Sequence, residues 1–306
     1  DQKSFSDTFL SLLKPLSSIG IQECFELIHR AFEISVRGNA GTSSQKSSNI
    51  FYHIHNPDPY EYAHFLKHYP QAKSLHIIRN PVQSLESWML NVLFANLSGD
   101  DETKKDRRHV QSINHWSKMV TNVVTMFKQL QSPFNAQAYS RGVRLEDVKR
   151  NAHDIMPKIA AWIGISEHPA IYESSFCGFQ YWGPSSKETG KITGFDTKAI
   201  DFPIGRLFGS RDILIFETLF WPFSYQYGYT QLDTADFRRQ LTEIRPWLAE
   251  PLEFERRFYD ELFDHSCALE KLAPYIRLHE LLSRLWETLY QNGTYRNMVK
   301  PLELED

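Results

Sequence analysis

The segment LHIIRNPVQSLESWM, 75–89, places an arginine at the end of an apolar run and a serine eight residues later. Pro81 suits the first turn of a helix, where its missing N–H costs no hydrogen bond. Arg79 would then stand at the carboxyl end of a strand, with Ser84 and Ser87 on the first turns of the next helix. Backbone N–H groups and the helix dipole favour an anion there, and a guanidinium offers a planar fork suited to phosphate. Arg79 and Ser87 are therefore a candidate phosphate-binding pair. The bland alternative pairs Arg79 with a carboxylate and leaves Ser87 as a hydroxyl on a helix face. The histidines offer a second chemistry. His53 and His55 share one face of a strand, His64 and His68 share one face of a helix, and His76 falls on the next strand. Zinc could be held by such pieces, but no acidic residue is placed to complete a typical catalytic set, so no metal site is expected.

Hydrophobic periodicity defines the elements that would carry these residues. Helices are expected over 4–15 and 21–36, and the small, polar stretch 37–48 reads as a loop. NIFYHIH, 49–55, reads as a strand broken by Pro57 and Pro59, followed by a short helix in PYEYAHFLKHY. KSLHIIR, 73–79, is a second strand leading into a helix that runs to about 97. Beyond the charged connection 98–108, a helix is expected over about 109–130, a third strand over 134–145 and a helix ending near Gly164. Such alternation implies βαβ units, hence an α/β fold with a central parallel sheet flanked by helices. Residues 166–208 are loop-rich, a helix ends near Gly228, and 230–306 reads as all-helical. The expected division is an α/β domain over 1–229 and a helical C-terminal appendage over 230–306. The aromatic stripe Phe254, Phe258, Tyr259 and Phe263 in that tail suits core packing, and copies of the chain could also associate through it.

The phosphate-binding pair gains meaning from its neighbours. Segment 75–89 resembles the 3′-phosphate-binding segment of sulfotransferases, in which an Arg at a strand end is followed eight residues later by a Ser; Arg79 and Ser87 match. HIHNP, 53–57, resembles the Lys-Thr-His-Leu-Pro segment of the cytosolic members, aligning His55 with the catalytic base and His53 with the lysine. VRLEDVKRNAHDIMPKIAAWIGI, 143–165, resembles the Tyr-Glu-Asp-Leu run that ends in a Leu-Gly pair; Glu146 and Asp147 match it and Leu145 replaces the tyrosine. YWGPSSKETGKITGFDTKAI, 181–200, resembles the Gly-Phe-Asp region of bacterial and tyrosylprotein-like members, and Gly228-Tyr229 resembles their Leu-Gly-Tyr. The resemblance runs from about 49 to 229. It implies a P-loop-type sulfotransferase fold that moves a sulfuryl group from 3′-phosphoadenosine-5′-phosphosulfate to a hydroxyl or amine of a small-molecule or carrier-bound acceptor. His55 would be the base, His53 a weaker substitute for the lysine, and Arg79 and Ser87 the grip on the 3′-phosphate. Lys187 and Lys191, in a Gly-containing loop, would reach the same phosphate. The chemistry requires no metal.

One part of the pattern is missing. The family's 5′-phosphosulfate loop is a Gly/Ser/Thr-rich turn between a first strand and a first helix, and no such strand–loop–helix occurs here. GNAGTSS, 38–44, has the composition but follows a helix and precedes a strand, the wrong context for a phosphate cradle. The first strand and its loop are expected upstream of Asp1. Rival readings are a non-catalytic nucleotide-binding or scaffold protein on the same fold, a His-rich metal-binding protein, and another phosphate-loop transferase such as a kinase. Bulk properties narrow the field further. The 306 residues are 42% hydrophobic and 14% aromatic, enough for a packed core, and a formal charge of -3 disfavours a nucleic-acid partner. Cys24, Cys177 and Cys267 are too few and too scattered for a disulfide framework, which suits the reducing cytoplasm, and no apolar run reaches membrane-spanning length.

Overall fold

Local sequence chemistry sets where the elements begin and end in a computed structural model that describes residues 2–37, 49–51, 59–94, 113–176, 179–180, 194–197, 200–258 and 269–303. Packing divides the chain into two units, Asp1–Ala72 with Ser175–Lys191, and Lys73–Ser174 with Ile192–Asp306. The first unit holds helices α1 (Gln2–Leu13), α2 (Ile21–Arg37) and α3 (Pro59–His68), with a two-residue antiparallel ladder between Ser175–Phe176 and Phe179–Gln180. The start of α2 follows capping logic, since the Gly20 N–H donates to the Glu23 carboxylate at 2.8 Å. Packing of α2 on α1 and α3 buries Ala31 and brings the Phe25 ring to 6.0 Å from Phe65 and 5.4 Å from Tyr69.

The second unit is built on two parallel strands, β1 (Ser74–Ile78) and β2 (Ser140–Arg144), paired from Ser74 opposite Ser140 to Ile78 opposite Arg144. Their crossover contains α4 (Pro81–Phe94) and α5 (Ile113–Leu130). Asn80 caps α4 by accepting the Gln83 N–H at 3.0 Å, and Pro81 occupies the first helical position. The other edge of β2 receives the C-terminal segment: Gly142 donates to the Lys300 carbonyl at 2.8 Å and accepts from Leu302 N–H at 2.7 Å. Glycine is required at 142 because a Cβ there would lie 2.0 Å from the Tyr227 hydroxyl and 3.0 Å from Ile78 Cγ1. That hydroxyl donates to the Val299 carbonyl at 3.0 Å, which fixes the C-terminal segment beside β2.

After β2 come α6 (Leu145–Arg150) and α7 (Ala152–Ile163), then α8 (Ser210–Leu219), α9 (Trp221–Gln226), α10 (Thr234–Ile244) and α11 (Leu269–Asn292). Residues at helical spacing form one core: Val82, Leu85 and Met89 of α4, Met119, Val123 and Phe127 of α5, Ile215, Phe216 and Leu219 of α8. Phe237, Leu241 and Ile244 of α10 and Leu278, Leu282 and Leu289 of α11 belong to the same core, so residues on both sides of Thr230 share it. A smaller cluster, Val143, Val148, Ile155, Ile159 and Leu302, packs β2 against α6, α7 and the C-terminal segment.

The fold is mixed and helix-rich, with a small parallel sheet. Of the broad central sheet expected, the described residues hold two strands and the bridge at Pro301. The third strand starts at Ser140 rather than 134, because Pro133–Ala136 form a one-turn 3-10 helix capped by Ser132. The helix expected after Arg144 breaks at Asn151, and the one expected up to Gly228 breaks at Phe220, ahead of Pro222. In the tail, Glu255–Phe258 is a 3-10 turn where a longer helix is expected. Asn49–Phe51 lie in no regular element, and the rest of the expected strand at 49–55 is outside the described residues. No helix among the described residues is long and apolar enough to cross a membrane.

Candidate functional site

Parallel strands release their side chains and loops at their carboxyl ends, where open α/β sheets place ligands. Here β1 ends in Arg79 and Asn80, and β2 ends in Arg144 and runs directly into α6 with Leu145 and Glu146. The two strand ends are joined by Glu146. Its Oε1 accepts the Asn80 backbone N–H at 3.3 Å, and its Oε2 accepts the Tyr229 hydroxyl at 2.5 Å. Glu146 is 6% exposed, so both bonds lie in a region of low polarity.

Tyr229 arrives there through the turn that ends α9. Gly228, with φ 68°, takes the left-handed conformation, and the Tyr229 N–H bonds back to the Ser224 carbonyl at 2.7 Å. This reversal sends the phenol toward the strand ends, within 3.3 Å of the Ile78 carbonyl. The Arg144 guanidinium lies over its ring, 4.6 Å from the centroid, and pairs with Asp147 at 3.5 Å. Burial, followed by the bond to Glu146, pushes the Tyr229 pKa far above its ordinary value, so the phenol stays a neutral donor.

Arg79 is half-buried and donates from Nε to Gln83 Oε1 at 3.0 Å. The other end of that amide donates from Nε2 to the carbonyls of Ile200, at 3.2 Å, and Phe202. These bonds fix the amide orientation, because its oxygen must face the guanidinium and its nitrogen the two carbonyls. The 200–208 segment is anchored a second time, one turn along α4, by the fully buried Glu86. Its carboxylate accepts the backbone N–H groups of Gly205 (3.1 Å), Leu207 (2.8 Å) and Phe208 (3.0 Å). Arg206, carried on this strap, lies 3.9 Å from Glu86 and over the Phe202 ring at 5.0 Å. Burial lowers the Arg79 pKa, the Glu146 charge opposes that shift, and the Arg206 charge adds to it. Among the described residues, the charges of Glu146 and Arg206 thus act on Arg79 in opposite directions.

Ser87 is half-buried on α4, one helical turn beyond Gln83 and on the same stripe. Gln83 accepts from the Arg79 guanidinium, and Ser87 follows it one turn along the same helix face. His53, His55, Lys187 and Lys191 lie outside the described residues. Gln83, Arg206 and the joining role of Glu146 were not legible in the sequence. The Asn80 cap was the one local signal, since an Asn before Pro commonly opens a helix. Among the other histidines, His64 and His68 stack edge to face with centroids 5.0 Å apart, and His76 is mostly buried with Nε2 unpartnered. Burial lowers the His76 pKa, which keeps its ring neutral. Among the described residues no group of three or more His, Cys, Asp or Glu side chains could hold a metal ion. Comparisons of the chain with family models, curated proteins and solved structures gave no match.

Proposed function

We propose that the chain is a sulfotransferase of P-loop-type fold that takes its sulfuryl group from 3′-phosphoadenosine-5′-phosphosulfate. The observation that carries this reading is the position of Arg79: at the carboxyl end of a parallel strand, half-exposed, immediately before the capped helix that bears Ser87. The donor set fits a ribose-linked phosphate. Arg79 offers a guanidinium and Ser87 a hydroxyl, and a phosphate dianion would offset the repulsion that the Arg206 charge exerts on Arg79. Lys187 and Lys191 are further candidate cations for the same phosphate. When bound, the donor supplies an activated sulfuryl group whose bond to the 5′-phosphate breaks as the acceptor oxygen or nitrogen attacks sulfur. His55 takes the acceptor's proton, which suits an imidazole near neutral pH, and His53 is a partly charged neighbour. The acceptor is a small-molecule or carrier-bound hydroxyl or amine.

Calorimetry with adenosine 3′,5′-bisphosphate tests the reading directly. Saturable binding is expected, weakened at least tenfold by Arg79→Ala, a loss of about 1.4 kcal/mol or more. His55→Ala should leave that affinity within twofold while removing sulfuryl transfer. Absence of binding at about 1 mM nucleotide, the range of a −4 kcal/mol interaction, would overturn it.

A further inference from the structure

The strand end, the helix cap and the 200–208 strap meet at one side chain, the amide of Gln83. The residue is 8% exposed on the first turn of α4, and its own N–H donates to Asn80 Oδ1 at 3.0 Å. Its Oε1 accepts from Arg79 Nε at 3.0 Å, and its Nε2 donates to the carbonyl of Ile200, at 3.2 Å, and to that of Phe202. Turning the amide over would set donors against the guanidinium and an oxygen against two carbonyls, so it has one orientation. The other half of the strap, 205–208, is held independently by Glu86. Asp201 also pairs with Arg150 at 2.6 Å, but both side chains are exposed and such pairs contribute little.

We propose that Gln83 is a positioning residue that joins Arg79 to the strap, so that the guanidinium that takes the phosphate and the segment that carries Phe202 and Arg206 are ordered together. This inference rests on the reading of Arg79 as a phosphate ligand. A guanidinium is planar, and a bond at Nε from a side chain that is itself tied to the cap and the strap sets the direction of that plane before a ligand arrives. Orientation supplied in advance lowers the side-chain entropy lost on binding. The link also runs the other way. A phosphate that holds Arg79 still removes motion from the Gln83 amide, and through it from the carbonyls of Ile200 and Phe202.

Two substitutions cut the link from opposite sides. Gln83→Met keeps the length of the side chain but replaces the amide with a thioether, which has no donor and accepts only weakly. Arg79→Ala removes the bond to Gln83 and leaves the amide on the strap carbonyls. Glu86 should still hold 205–208 in both variants.

The test is hydrogen exchange of the peptide spanning 200–208, with α10 as the control and adenosine 3′,5′-bisphosphate as the probe. Without nucleotide, this peptide should exchange about three- to tenfold faster in Gln83→Met and at least about twofold faster in Arg79→Ala, with α10 unchanged. The double variant should be no faster than Gln83→Met, because the two changes break one link. Saturating nucleotide should slow the strap in wild type and leave it unchanged in Gln83→Met, which should also bind about threefold or more weakly. An equal effect of Arg79→Ala with and without Gln83, or equal slowing by nucleotide in wild type and Gln83→Met, overturns the proposal. Should Gln83→Met not fold, unchanged strap exchange in Arg79→Ala overturns it instead. Failure of the wild-type chain to bind the nucleotide would remove the phosphate reading itself, a result separate from the link that the nucleotide-free arm measures.

Discussion

At the scale of single residues, a buried side chain with two fixed partners has little choice of protonation state. His279 on α11 is the clearest case. Its Nδ1 lies 3.0 Å from the Leu248 carbonyl and its Nε2 lies 3.0 Å from the Glu255 carboxylate. Both partners are acceptors, so both bonds exist only in the imidazolium form. Burial alone would lower the His279 pKa; the bond and charge of Glu255, helped by the carbonyl, outweigh it and raise it. A raised folded value means the folded chain holds the proton more tightly than the unfolded chain. The contribution is therefore fully present below the unfolded pKa of about 6.5 and is lost as pH rises through the folded value. Chemical denaturation at about pH 6.5 and 8.5 should give greater stability at the lower pH, with the difference reduced in His279→Gln. Equal pH dependence in the two proteins would remove His279 as its source. Asp212, whose carboxyl burial pushes up to about 6 despite bonds from Glu253 and Phe254 N–H, overlaps the lower end of this window, so the comparison with His279→Gln is what isolates the histidine.

At the scale of elements, the parallel pair β1–β2 is held in register by what packs on its edges and ends. Gly142 lets the Tyr227 ring pass directly over β2, and Tyr227 in turn fixes Val299. Gly142→Ala should cost about 1–3 kcal/mol through overpacking, read as a lower urea midpoint with unchanged slope. Adding Tyr227→Phe, which removes the hydroxyl 2.0 Å from the new Cβ, should recover part of that loss. An undiminished loss in the double variant would mean that the contact with Ile78, or backbone entropy, carries the effect. The same logic accounts for the 200–208 strap. It has almost no regular structure of its own, yet Gln83 and Glu86, on adjacent turns of α4, hold its backbone through five hydrogen-bonded groups. An irregular segment can keep Arg206 near Arg79 only because its N–H and C=O groups are answered in this way.

At the scale of the whole molecule, the residues after Thr230 complete the core of the second unit. Phe237, Leu241, Leu278, Leu282 and Leu289 pack with Leu85, Met119 and Phe216. A fragment ending at Tyr229 should therefore fail to unfold cooperatively and should bind hydrophobic dyes; a sharp thermal transition in that fragment would show that the α/β part folds without the tail. The amino-acid sequence by itself determined the features decided within a few residues of chain. These are the capped start of α4 at Asn80-Pro81, the ends of α7 and α9 at Gly164 and Gly228, the helical spacing of the core residues, and the placement of Arg79 at a strand tip eight residues before Ser87. Only the tertiary structure decided which polar groups meet: Asn80 with Glu146 across 66 residues, Gln83 with Ile200 across 117, Tyr229 with Ile78 across 151. The physical reason lies in desolvation. Steric and capping preferences act locally and leave a trace in neighbouring letters, whereas a buried polar group must find a partner somewhere in the fold, and nothing in its own segment specifies where.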